Sequence, residues 1–216
     1  VIAPPMMPAV AASASSYVVV YDAPDGHPRG QRLAADGALQ GSEFVIAAPL
    51  EDQTRPDVAY NSTDGQYLVV WQDDRSADWD ILGQRVDRDG TLLSGPVTIC
   101  DEDGNQARPS VAYNPDANQY LVVWQDRRNG NLDIYGQRVN ADGSLEGGVV
   151  PIAGQGPTAR SEPRVTYNPI EAEYFVVYGY AAENGNIRGR VVPADGPPTE
   201  DEIDILQVTR TWVFLP

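Results

Sequence analysis

The stretch Tyr120 to Val139, YLVVWQDRRNGNLDIYGQRV, decides the architecture, because the chain carries it four times. An apolar run, Tyr120 to Trp124, leads into a polar loop, and a second extended run, Asp133 to Val139, returns. Close copies are Tyr67 to Val86 (YLVVWQDDRSADWDILGQRV), Tyr17 to Leu33 (YVVVYDAPDGHPRGQRL) and Tyr174 to Val191 (YFVVYGYAAENGNIRGRV). Three markers share one phase. Gly30, Gly83, Gly136 and Gly189 are 53 residues apart, as are Asp36, Asp89, Asp142 and Asp195 of the Asp-Gly pairs, and Ile46, Ile99, Ile152 and Ile205.

The front of each unit repeats less strictly. Pro56, Pro109 and Pro163 precede Val58-Ala59-Tyr60-Asn61, Val111-Ala112-Tyr113-Asn114 and Val165-Thr166-Tyr167-Asn168; the first copy offers Pro8 and Val10-Ala11-Ala12-Ser13. The units therefore span about 8–47, 56–100, 109–153 and 163–208, flanked by a segment 1–7 and a tail 209–216. Each unit reads as four strands. The second is β-branched, aromatic and nearly continuously apolar, so it is expected to be buried on both faces. The Asp-Gly pair supplies the turn before the fourth, since Gly accepts the positive φ a hairpin turn needs. No stretch shows a helical apolar period. Repeated four-stranded units of about 50 residues predict an all-β, four-bladed β-propeller of antiparallel blades. Half of an eight-bladed ring and an open β-array are the alternatives.

Composition narrows the function classes. The chain has 216 residues, 42% of them apolar, with 20 Gly and 18 Pro. Gly and Pro fall between apolar runs, as turn punctuation does. The net charge of −16 repels phosphate backbones and anionic lipid, so no nucleic-acid partner is expected. No apolar run approaches the roughly 20 residues of a membrane helix, so no membrane insertion is expected. Cys100 is the single cysteine, which excludes an intrachain disulfide and reads as a packed small residue. His27, the one histidine, sits in a Pro/Gly-rich turn, a poor place for a catalytic base. The opening VIAPPMMPAVAASASS reads as the mature start of an exported protein whose signal peptide has been removed, and so predicts an extracellular or cell-surface location.

The pattern Pro-x-Val-Ala-Tyr-Asn, Tyr-Leu-Val-Val-Trp-x-Asp-x-Arg, Asp-Ile-Tyr-Gly-Gln-Arg-Val and Asp-Gly resembles the propeller-type repeats of large secreted bacterial and archaeal surface proteins. Unit length and blade number are also similar to hemopexin-like propellers, although the disulfide that usually closes those rings has no counterpart here. That resemblance implies an ion held by backbone carbonyls in the central channel, near Ala11, Ala59, Ala112 and Thr166. The tail TRTWVFLP, Thr209 to Pro216, resembles the apolar tails of some exported bacterial proteins. It is read either as a strand that closes the ring or as one that pairs with a second subunit, giving self-association.

Two further constellations are candidates. Asp73 and Asp80 bracket the loop after the second strand in unit two, Asp126 and Asp133 match them in unit three, and Arg75 and Arg128 lie nearby. These carboxylates could bind sugar hydroxyls or a cation, with Trp71, Trp79 or Trp124 as a stacking face. The competing reading is an Asp that caps a tight loop and pairs with the Arg. Recurrence with the repeat favours this structural role, and the set fades to Asp22 and His27 in unit one and to Gly179 and Asn186 in unit four. Asp101-Glu102-Asp103-Gly104-Asn105 offers alternating carboxylates for Ca²⁺, without the full ligand spacing of a calcium loop. The cofactors in view are thus Ca²⁺ or a channel ion, and the partners a glycan or a second copy. A glycosidase needs two carboxyls with unlike environments, and no pair stands apart from the repeat. The expected function is accordingly a non-catalytic extracellular propeller with a structural, adhesive or assembly role. A carbohydrate-binding module ranks second and a polysaccharide-acting enzyme third.

Overall fold

The computed structural model describes residues 7–47, 52–74, 77–154, 156–181, 185–199 and 201–206. The tail 209–216, most of the segment 1–7 and Arg75 lie outside the described residues. Sixteen strands form four sheets. Blade 1 holds β1 (Ala9–Ala12), β2 (Ser16–Asp22), β3 (Pro28–Ala34) and β4 (Leu39–Val45); blade 2 holds β5 (Gln53–Asn61), β6 (Gln66–Asp73), β7 (Asp80–Asp87) and β8 (Leu92–Cys100). Blade 3 holds β9 (Gln106–Asn114), β10 (Gln119–Asp126), β11 (Asp133–Asn140) and β12 (Leu145–Ala153); blade 4 holds β13 (Arg160–Asn168), β14 (Glu173–Tyr180), β15 (Asn186–Pro193) and β16 (Ile203–Leu206). Strands run in sequence order within each sheet, and every pairing is antiparallel. The chain is a four-bladed β-propeller, and no helix occurs among the described residues. The first strands of all four blades line one channel, which Ala11, Ala59, Ala112 and Thr166 all face.

Blade stacking explains the apolar second strand. Successive side chains of a strand point to opposite faces. In β6, Tyr67, Val69 and Trp71 join Val18, Val20 and Ile46 of blade 1 in one core. Leu68 and Val70 join Tyr120, Val122 and Trp124 of blade 3 in a second. Leu121 and Val123 of β10 then meet Tyr174, Val176 and Tyr178 of blade 4 in a third. A blade has two wet faces until its neighbours arrive, so alternation is lost and every residue of β6 is buried.

The shared phase of the Gly and Ile markers has a steric cause. A Cβ on Gly136 would lie 2.7 Å from Ile152 Cδ1 and 3.2 Å from the Val122 carbonyl oxygen. One on Gly83 would lie 2.9 Å from Ile99 Cδ1. In blades 2 and 3 the isoleucine closes over the space the glycine leaves; in blade 1 Phe44 fills the place over Gly30, and in blade 4 Phe175 shares it with Ile205 over Gly189.

Two polar staples recur between blades. Asp22 Oδ1, Gln72 Oε1 and Gln125 Oε1 accept the backbone N–H of Arg55, Arg108 and Glu162 at 2.8, 3.0 and 3.2 Å. These three residues take left-handed φ values of 58°, 57° and 54° where the first strand bulges. Arg32, Arg85 and Arg138 donate to the carbonyls of Asp89, Ala141 and Ala194, in or beside the Asp-Gly turn of the next blade, at 2.9, 3.3 and 2.8 Å. Blade 4 breaks both rules. The ladder registers put Gly179 where Asp22, Gln72 and Gln125 stand, and Val191 where the arginines stand.

The Gly–Ile fit predicts a contrast within one blade. Gly136→Ala should cost about 2 kcal/mol through overpacking, whereas Gly148→Ala, with open space around its Cβ, should stay within about 0.5 kcal/mol. Urea-unfolding midpoints of the two variants check this.

Candidate functional site

The repeated proline directly precedes β1 and stands at the bulge of β5, β9 and β13, and its flanks are where the repeat loses its symmetry. Met7, Arg55, Arg108 and Glu162 precede it; Ala9, Asp57, Ser110 and Arg164 follow it. The bulge that the staples hold turns these residues toward the end of the channel. There all of them but Ser110 line a cavity of about 290 Å³ at the axial mouth.

The mouth is rich in cations although the whole chain is strongly acidic. Arg108 forms an ion pair with Glu162. Burial, and then the nearby charges of Arg55 and Arg164, lower the proton affinity of Arg108. Asp57 is the second carboxyl. Its Oδ1 accepts from Val58 N at 2.9 Å and its Oδ2 from Val111 N at 3.0 Å. Desolvation nevertheless pushes its pKa above the usual carboxylate value. Ser110 holds the equivalent place in blade 3, where its Oγ accepts from Val165 N at 3.4 Å. Beneath Arg55, burial pushes the Asp22 carboxyl up to about 6. By sequence Asp22 is expected to match Asp73 and Asp126. The registers correct this by one residue: Asp22 aligns with Gln72 and Gln125.

The loop residues expected to touch a glycan are placed differently. Trp71 and Trp124 are fully buried, as are Asp73 and Asp126, so no sugar ring can stack on either indole. Trp124 Nε1 donates to Asp126 Oδ2 at 2.8 Å, and Arg128 Nη2 pairs with the same oxygen at 2.7 Å. The Arg128 guanidinium also lies 4.4 Å from the Tyr135 ring centroid. In blade 2, Trp71 Nε1 and Gln53 Nε2 donate to Asp73 at 3.3 and 2.9 Å. Asp80 and Asp133 stand opposite Asp73 and Asp126 on the ladders and are likewise buried. The set is a loop staple. The strands continue through the apolar run, so alternation carries Trp and Asp, two residues apart, onto one inner face.

Asp101 and Asp103 are exposed, and their loop is tied by Gln106 Nε2 to the Glu102 carbonyl at 2.8 Å and by Gly104 N to Asp78 Oδ2 at 3.1 Å. Their carboxylates do not converge: no group of three or more His, Cys, Asp or Glu side chains among the described residues is arranged to hold a metal ion. Cys100 is packed as expected. Its thiol accepts from Arg128 Nη2 at 3.2 Å, and burial pushes it up to about 11, far from a reactive thiolate.

No family model and no curated protein matches the sequence. Solved structures share the fold. A thermostable family-43 glycoside hydrolase has a TM-score of 0.61 at 16% identity, with 92% of this chain and 71% of that one covered. A family-43 endo-arabinanase from Bacillus licheniformis has 0.58 at 14%, with 85% and 70% covered. An N-acetylgalactosamine deacetylase from F. plautii, in complex with blood group B trisaccharide, has 0.66 at 10%, with 92% and 68% covered. Such likeness shows the fold. It also corrects the expectation of a non-catalytic role, which took a symmetric blade array as evidence against chemistry. The fold carries glycoside hydrolysis in the two family-43 neighbours, and the symmetry here is broken at the mouth.

Asp22 gives a pH test of this geometry. Its folded pKa of about 6 lies above the unfolded carboxylate value. Its contribution to stability is therefore fully present below about pH 4 and is lost as the pH rises through about 6. Asp22→Asn keeps an acceptor for Arg55 N and removes the titration. The stability difference between wild type and variant should shift by about 2 kcal/mol between pH 4 and 7, measured by chemical unfolding across that range.

Proposed function

We propose that the protein acts on a polysaccharide at the axial mouth, and that the polysaccharide carries acidic sugars. One observation carries this reading: the ionisable residues that break the four-fold repeat, Arg55, Asp57, Arg108, Glu162 and Arg164, meet in one cavity on the axis. Glycosidic hydrolysis calls for two carboxyls in unlike environments, one to protonate the leaving oxygen and one to assist the attack of water at the anomeric carbon. Asp57, desolvated and biased toward its protonated form, suits the first role. Glu162, at the rim and ion-paired with Arg108, suits the second. Arg55 and Arg164 add planar guanidiniums that recognise a carboxylate through paired hydrogen bonds. An uronate residue is the sugar that uses them. A polymeric substrate of this kind agrees with an extracellular or cell-surface location.

The test is an assay of reducing-end release on neutral arabinan, xylan and galactan and on a polyuronate. Activity should appear on the polyuronate and fall by roughly 100-fold in Glu162→Gln, the scale typical of a lost acid–base group, with an unchanged melting temperature. Release from none of the polymers, or undiminished release by the variant, would refute the assignment.

A further inference from the structure

Each proline at the mouth is preceded by a residue whose backbone N–H needs an acceptor: Met7, Arg55, Arg108 and Glu162. Gln72 and Gln125 serve Arg108 and Glu162. Asp22 serves Arg55 at 2.8 Å, and its carboxyl also accepts from the Met7 backbone N–H. Blade 4 has Gly179 at the matching place and so no side chain there to offer Met7. One carboxyl therefore holds two of the residues that line the cavity.

A staple needs only an acceptor, and the amides of blades 2 and 3 supply one without charge at any pH. In blade 1 an acid takes that place although it is only 5% exposed, where an ionised group loses its hydration. What the acid adds to an amide is a charge that switches. Desolvation is the largest influence on it and raises its pKa to about 6. The charged group that acts on it is Arg55, from β5 of the next blade. On its own blade Pro28 of β3 stands opposite it, and just ahead of β1 the Met7 backbone meets it; neither carries a charge.

We propose that Asp22 is a positioning residue that couples proton uptake to the binding of an acidic ligand at the mouth. The inference rests on the reading of the mouth as a site for acidic sugars. Ionised, Asp22 neutralises Arg55 and repels a carboxylate that approaches the same cation. Protonation removes that competitor, while the carbonyl oxygen of the acid still accepts the Arg55 N–H and keeps the bulge. By linkage, a ligand that prefers the protonated form raises the proton affinity of Asp22. Affinity for an acidic ligand thus rises as the pH falls.

Titration calorimetry with an oligouronate, on the wild type and on Asp22→Asn, tests the coupling. Asn copies the protonated acid: it is neutral and keeps an acceptor for Arg55 N. The variant should match the wild type at about pH 5 and bind roughly tenfold tighter than it at about pH 8, the equivalent of a one-unit shift of Asp22. Asp57 and Glu162 are present in both proteins, so their titration cancels in the comparison. A merely structural staple would weaken the variant equally at both pH values, and that result overturns the proposal. In the wild type without ligand, the ¹⁵N amide shifts of Arg55 and Met7 should titrate together with a midpoint of about 6. Amides that do not move through that range overturn the proposal, whether or not the variant folds. Binding at neither pH overturns it together with the acidic-sugar reading, whereas binding with parallel pH profiles in the two proteins overturns the coupling alone.

Discussion

A four-stranded blade carries apolar side chains on both faces and can bury neither without a neighbour. This constraint governs the rest of the molecule. It makes β6 and β10 apolar at successive positions, and it places Trp71, Trp124 and the fully buried Tyr67, Tyr120, Tyr174 and Tyr178 in the seams. It also ranks the forces. Each inter-blade hydrogen bond contributes on the order of 1 kcal/mol net, whereas each fully buried large apolar side chain contributes about 2 kcal/mol. The apolar faces therefore supply the association, and the staples through Asp22, Gln72 and Gln125 fix how the blades are turned about the axis.

That turn matters because it builds the mouth. The bulged residues Arg55, Arg108 and Glu162 sit in left-handed backbone that only local hydrogen bonding sustains, and the preceding blade supplies the acceptor. The scaffold is thus symmetric in its backbone and asymmetric in the side chains it presents at that one ring. A repeat fold acquires a single site in this way: the strands keep the phase, while residues flanking one invariant proline diverge.

The fold was legible because its markers touch one another. Gly83 and Ile99, or Gly136 and Ile152, occupy one packed volume, so their spacing reports a real contact between the third and fourth strands. The candidate site was not legible by the same route. Asp73, Trp71, Asp126 and Trp124 recur with the repeat because they are buried parts of each blade, and recurrence marks the structural part. The signal for the mouth lay in what failed to recur, the change from Met7 to Arg55, Arg108 and Glu162 before the proline. The alignment of Asp22 with Asp73 slipped because unit one is shorter in its loop, and a one-residue slip moves a strand side chain to the other face.

The central claim is that ligand recognition belongs to the axial mouth. Titration of the ¹⁵N-labelled protein with an oligouronate, followed by amide chemical shifts, tests it most directly. The account predicts saturable shifts at Arg55, Asp57, Arg108, Glu162 and Arg164, with the Asp126 to Asp133 loop unmoved. Shifts confined to the Asp73–Asp80 and Asp126–Asp133 loops, or none at the mouth, would contradict it.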